Sequence, residues 1–172
     1  MNSLQLANIL KNNSYCKDSF IGVYPSNKIP HKFNHFPVSF IVNTDKEGQP
    51  GRHWQAIFIP NNKTIEFFDS FGHHPPAPLN NLMRQFSVKR INRVKMQNNY
   101  DVSCGPFVIF FLISRCSGRQ FEEIIKNLNQ KTCWVTVLSN CLLHITQSFR
   151  ENCKFRPSLK TNSCLSIHLC LK

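Results

Sequence analysis

Acidic side chains are scarce in this chain: nine Asp and Glu stand against twenty-one Lys and Arg, a formal net charge of +12 over 172 residues. Such an excess draws a protein toward polyanions such as nucleic acid, with plain solubility as the alternative reading. Long apolar runs are missing too. The longest, residues 107–113, falls far short of the ~20 residues that span a bilayer, so no membrane partner is expected. The start, MNSLQLANILKNN, lacks a basic region and a small-residue cleavage site, which predicts a soluble, unsecreted protein. Eight cysteines are present without one CxxC pair. That spacing argues against a zinc module, and in a reducing compartment the thiols stay free or do chemistry. Cys164, His168 and Cys170 in the tail match no common zinc spacing, and no metal site is expected. Internal repeats, low-complexity tracts and Gly/Ser linkers are absent, which predicts a single domain over residues 1–150. Residues 151–172 hold no pattern and read as a disordered basic tail or as a segment outside the domain.

What the chain does have is core. Its hydrophobic content is 41%, with fifteen phenylalanines. A short first helix is predicted, capped by Ser3, with Leu6, Ile9 and Leu10 on one face and Asn12 and Asn13 at its end. The prolines and asparagines of residues 20–36 suggest a folded loop, and VSFIVNT (38–44) reads as a buried strand. HWQAIFIP (53–60) and TIEFFDSF (64–71) are both strand-like around the turn NNK and should form a hairpin. A short helix or turn near residues 79–86 then leads into strand-like INRVKMQ (91–97). An apolar helix is predicted from Gly105, and a further one from Phe121, with Ser117 and Gln120 at capping-box spacing before it. Trp134, Val137, Leu138, Cys141, Leu142, Ile145 and Phe149 continue at helical spacing, as core or as a partner-facing stripe.

Three chemical features stand out. Cys104 lies at the predicted start of the apolar helix, where the positive end of the dipole favours a thiolate. A hairpin turn centred near Asn61 sets His53 opposite Asp69 or the residue beside it, close enough for the carboxylate to accept a proton from the imidazole. RQFSVKRINRVK (84–95) carries Arg84, Lys89, Arg90, Arg93 and Lys95 without an acid, a local patch suited to sequence-independent DNA contact. Taken singly, Cys104 also reads as packing, His53 as a surface or satisfied histidine, and Asp69 as a turn residue. Together they are the parts of a cysteine nucleophile with its base and orienting group.

The order His53, Asp69, Gln97, Cys104 resembles that of the adenovirus protease family and its relatives in large DNA transposons, within the class that includes SUMO-deconjugating proteases. FIGVYP (20–25), IVNT (41–44), GRHW (51–54), FFDSFG (67–72) and Gln97 seven residues before CGPF carry the likeness across roughly residues 19 to 115. A papain-type enzyme, by contrast, has its cysteine before its histidine. The resemblance implies an α+β papain-like cysteine protease fold with a central antiparallel sheet packed on helices. It makes Cys104 the nucleophile, His53 the base, Asp69 the orienting group and Gln97 an oxyanion-hole donor. Trp54 and Gly105 would then flank the substrate in a slot narrow enough to prefer glycine.

By the same resemblance, the protein is a monomeric endopeptidase of viral or transposon origin that processes capsid precursors, acting in the virion and the host nucleus or cytoplasm. No cofactor is required for the chemistry, and DNA and an activating peptide are the implied accessories. Two departures matter. Asp69 stands where the adenovirus enzymes have Glu, as on the SUMO-protease side of the class. The cysteine that tethers the adenovirus activating peptide has no counterpart, because its position falls near Phe86. The alternatives are a protease that removes ubiquitin-like modifiers and, from another class, a non-catalytic basic DNA-binding or virion protein.

Overall fold

The apolar strand-like segments of the sequence become the middle of one five-stranded sheet in the computed structural model, which describes residues 1–99 and 102–129. Strands β2 (Val38–Asn43), β3 (Trp54–Asn61) and β4 (Thr64–Phe68) pair antiparallel. The edge strands β1 (Phe20–Pro25) and β5 (Val88–Ile91) join them in parallel, so the expected antiparallel sheet holds for the centre and the whole is mixed. The central strands read as continuous apolar runs because both faces of the sheet are covered.

One face carries Ile41, Ala56, Phe58 and Phe68 against α1 (Ser3–Asn12), α3 (Cys104–Cys116) and α4 (Phe121–Asn129). The other carries Phe40, Val42, Ile57, Ile65 and Phe67 beneath α2 (Ala77–Met83). Helix α3 is apolar on nearly every side because it is buried on nearly every side. Its Phe111 stacks on Phe68 with ring centroids 4.7 Å apart and meets Phe121 edge-on at 5.8 Å, which joins sheet, α3 and α4 in one aromatic column.

A buried ion pair fixes the far end of α3. Glu66 on β4 is fully buried, and its carboxylate accepts Arg115 Nε at 2.6 Å and Arg115 Nη2 at 3.1 Å in a bidentate fork. Arg90 Nη1 adds a third bond at 3.0 Å. Removing one partner of such a group typically costs ~3–5 kcal/mol, because a charge is left in the core unpaired.

Several sequence expectations shift. Residues 20–25 form a strand and not part of a loop, since Gly22 and Pro25 are tolerated at a sheet edge, where a register irregularity leaves Ile21 unpaired between Phe20 and Gly22. Helix α1 is capped by Asn2 in a reciprocal capping box with Gln5, one residue before Ser3. Strand β5 ends at Ile91, earlier than expected, because the Asn92 side chain accepts the Val94 N–H at 2.8 Å and turns the chain. Ser117 does not cap α4: its hydroxyl donates to the Ser114 carbonyl at the end of α3. The apolar stripe from Trp134 to Phe149, the tail and its cysteines lie outside the described residues.

Candidate active site

The β3–β4 register pairs Ala56 with Phe68 and Ile57 with Phe67. Carried one step past the strand end, it sets Gln55 opposite Asp69 and His53 diagonal to it, two residues from the expected register. A two-residue offset preserves the face of the sheet, and a diagonal neighbour remains within reach of an imidazole. His53 Nε2 and Asp69 Oδ1 accordingly lie 3.0 Å apart. A one-residue slip would have put them on opposite faces.

Asp69 is fully buried and heavily bonded. Its Oδ1 also accepts the Phe71 N–H at 2.7 Å, and its Oδ2 accepts Gln55 Nε2 at 2.7 Å. Burial alone would raise its pKa; the bonds from His53, Gln55 and Phe71 outweigh burial and hold the carboxyl below its usual range. Gln55 escaped the sequence reading, although it shares a strand face with His53 two residues on, which is the signal that could have found it.

Cys104 is the first residue of α3, with Ser103 in the capping position, so the helix starts one residue earlier than expected. The thiol is 8% exposed and hydrogen-bonds with His53. Burial would raise its pKa, but the bonds to His53 and to the backbone N–H groups of Trp54 and Gly105 bring it below the ordinary thiol value. Burial would likewise lower His53; the bonds to Asp69 and Cys104 prevail and push it up to about 9. These shifts keep the imidazole protonated near neutrality and lower the pH at which the thiol facing it ionises. With Nε2 engaged by Asp69, Nδ1 is the ring nitrogen left to face the sulfur.

Gln97 is 2% exposed, and its Oε1 accepts the Ser70 hydroxyl at 2.6 Å. Its own backbone N–H and that of Met96 both donate to the Ser70 carbonyl, at 3.0 and 2.8 Å. The segment Asp69–Gly72 closes with a Gly72 N–H to Asp69 carbonyl bond of 2.9 Å. Gly72 has a φ of +71°, and a Cβ there would stand 2.9 Å from the Arg93 carbonyl oxygen, so the turn requires glycine. Asn92 braces the same turn by donating to the Asp69 carbonyl at 2.6 Å. Neither Ser70 nor Asn92 was singled out from the sequence; both are ordinary polar residues until the turn folds.

Trp54 and Gly105 both meet Met1. Trp54 Nε1 donates to the Met1 carbonyl at 3.2 Å, and a Cβ on Gly105 would come within 3.1 Å of the Met1 side chain. Beside it opens a cleft of about 320 Å³, walled by Trp54, Met1, Tyr24, Asn43 and Asp45 among others. His53, Asp69 and His73 bring ligand atoms within 4.8 Å of one another. Asp69 already accepts three hydrogen bonds, from His53, Gln55 and Phe71.

Two further thiols interact. Cys16 is buried, and its hydrogen bond to Cys116 draws the Cys116 pKa down to about 7 against the effect of burial, with help from Ser19, Ser39 and Arg115. The same contact, with burial, drives Cys16 upward.

The basic patch is less uniform than the sequence suggests. Arg84, Lys89, Arg93 and Lys95 are exposed. Arg90 is not part of a free patch: it is tied to buried Glu66 and, at 3.2 Å, to Glu122. The acids that neutralise it come from a neighbouring strand and a distant helix, out of view in a linear segment.

Residues 7–133 match the family described as the Ulp1 protease family, C-terminal catalytic domain. A protein of Acanthamoeba polyphaga mimivirus named as a thiol protease is 29% identical over 102 residues, 52% of this chain and 33% of that protein. The cysteine protease of African swine fever virus is 26% identical over 102 residues, 49% of this chain and 36% of that one. The chain thus spans about a third of the length of these curated relatives. The crystal structure of the African swine fever virus protease superposes with a TM-score of 0.54 at 20% identity, covering 72% of this chain and 60% of that one. The central domain of an uncharacterized Legionella pneumophila protein does so with 0.52 at 14% identity, covering 87% and 98%. These likenesses agree with the α+β, papain-like protease fold implied by the sequence.

Proposed function

The chain belongs to the Ulp1 protease family, a family of cysteine-type proteases, and from that premise we propose that it hydrolyses peptide bonds in protein substrates, with Cys104 as nucleophile and His53 as base. The observation that carries the assignment is the buried chain of contacts from Asp69 through His53 to Cys104, set at the start of an apolar helix. Attack of the thiolate on the carbonyl carbon forms a thioester as the imidazolium gives its proton to the leaving amine; water, deprotonated by the then neutral imidazole, hydrolyses the thioester and restores the thiolate–imidazolium pair. Gln97 and backbone N–H groups at the head of α3 stabilise the tetrahedral oxyanion. Asp69 holds the imidazole in position.

The pH dependence follows from the two shifts. Cleavage should rise as the Cys104 thiol ionises below its ordinary range, and fall as His53 loses its proton at about 9. A bell-shaped kcat/KM profile is therefore expected, its basic limb near pH 9 and missing from no variant that keeps His53 and Asp69. A profile rising through pH 9 to a plateau would contradict the imidazolium's role as acid.

As substrate we propose viral precursor proteins cut at glycine-containing sites, with the enzyme acting in the virion and the host nucleus or cytoplasm. Support comes from the viral relatives and from the slot between Trp54 and Gly105, where a substrate glycine would take the place of Met1. Removal of a ubiquitin-like modifier is the second reading, favoured by the matched family and by African swine fever virus relatives named SUMO-1 cysteine proteases. Cleavage of a peptide library beside that of folded SUMO precursors separates them. Turnover of glycine-containing peptides without preference for SUMO is expected; preferential processing of the folded precursor moves the assignment to the second reading, and equal cleavage after bulky aromatic residues refutes the slot.

Sequence-independent DNA contact is also proposed, now through Arg84, Lys89, Arg93 and Lys95. Affinity should fall linearly on a log–log plot with rising salt, by roughly 0.9 per phosphate neutralised. Reversing Arg93 and Lys95 together should flatten that slope by about two units. Salt-independent affinity would remove DNA from the account.

A further inference from the structure

The residue after the orienting carboxylate performs a second task in the same turn. Ser70 is fully buried and sits between the two halves of the machinery: Asp69 on one side of it bonds His53, while Ser70 itself bonds Gln97 twice over. Its carbonyl accepts the backbone N–H groups of Met96 and Gln97, and its hydroxyl donates to Gln97 Oε1 at 2.6 Å. The two kinds of bond do different work. Carbonyl bonds hold the main chain of residue 97 against the Asp69–Gly72 turn. The hydroxyl bond decides which end of the side-chain amide faces which way.

That choice matters because a carboxamide has a donor end and an acceptor end of nearly equal size. An oxyanion needs the donor; the carbonyl end presented instead would repel the developing negative charge. Rotation about the last torsion of a glutamine is soft, so packing alone discriminates poorly between the two orientations. A hydroxyl bonded to Oε1 discriminates well, since it keeps the carbonyl end occupied and leaves Nε2 as the donor end. Preorganisation of this kind is what makes an oxyanion donor effective, because no reorientation is then needed as charge develops.

We propose that Ser70 is a positioning residue for the oxyanion hole, acting through Gln97, an inference that rests on Gln97 being the oxyanion donor of the proposed protease. The turn Asp69–Ser70 then couples both halves of catalysis: one residue orients the base, the next orients the electrostatic stabiliser. Asn92 and Gly72, which brace and shape this turn, support both functions at once.

The test is a double-mutant cycle on a peptide substrate, with a peptide aldehyde as a tetrahedral-adduct inhibitor. Gln97→Ala is expected to lower kcat by ~100-fold with KM nearly unchanged. Ser70→Ala should lower kcat by about 10-fold, again at constant KM, because the backbone bonds to its carbonyl survive and only amide orientation is lost. Aldehyde affinity should fall in the same proportion as kcat/KM. Ser70→Thr, which keeps the hydroxyl, should restore turnover to within about three-fold. Ser70→Ala with Gln97→Ala should be no slower than Gln97→Ala alone. A double mutant whose loss is the product of the two single losses, or a Ser70→Ala enzyme as fast as wild type while Gln97→Ala is slow, overturns the positioning role. A Gln97→Ala enzyme with unchanged kcat overturns the underlying oxyanion assignment instead, so the two failures are distinguishable. Should Ser70→Ala not fold, Ser70→Cys, close in volume and a weaker donor, carries the same arms of the cycle.

Discussion

Cys104→Ala is expected to abolish peptide cleavage, by a factor on the order of 10⁶ in kcat if this site behaves like other nucleophile–base units. Among the described residues, no other thiol replaces the sulfur. Cys16 is buried in the core beside Cys116, and Cys116 lies at the opposite end of α3 from Cys104, so neither reaches the slot. The fold should survive the change. Alanine suits the first turn of a helix, the aromatic column of Phe68, Phe111 and Phe121 is untouched, and Asp69 keeps every one of its bonds. Unchanged circular dichroism with lost turnover is the expected pair of results; substantial residual turnover would remove Cys104 from its role.

His53→Ala should cost nearly as much, because the imidazole serves twice: it stabilises the thiolate and later protonates the leaving amine. Its loss does not leave the buried Asp69 carboxylate bare, since Gln55 and the Phe71 N–H still donate to it. The variant should therefore fold. Because Cys104 and His53 act as one unit, the double variant should be no slower than either single. A double loss equal to the product of the singles would mean that the two residues contribute independently, which the shared hydrogen bond forbids.

The His53–Asp69 contact was legible because strand pairing is arithmetic. Once two segments form a hairpin, a side chain's partner is restricted to one face and a few positions, so His53 and Asp69 could be paired from spacing alone. The register lies two residues from that expectation because the turn closes between Asn61 and Thr64, later than a centre at Asn61, and the irregularity between Phe58 and Asn61 recovers only one residue of the difference. Cys104 was legible for a different reason: a thiol before a long apolar run stands at a helix start. Gln97 could be placed only by resemblance, as its position depends on a long irregular segment held by Ser70 and Asn92. What sequence concealed was tertiary. Arg90 looked like part of a bare basic patch until β4 and α4 brought Glu66 and Glu122 to it, and residues 20–25 looked like a loop until β2 offered them a partner.

The central claim is that Cys104 is a thiolate held by His53, and the pH dependence of its alkylation tests this directly. Limiting iodoacetamide is applied across a pH series, and the modified cysteines are mapped by mass spectrometry, which separates Cys104 from Cys116, whose pKa is also lowered, to about 7. Cys104 is expected to label at pH values below the ordinary thiol range of about 8.5, and His53→Ala to move its labelling upward. Labelling of Cys104 that follows an ordinary thiol titration, unaffected by His53→Ala, would contradict it.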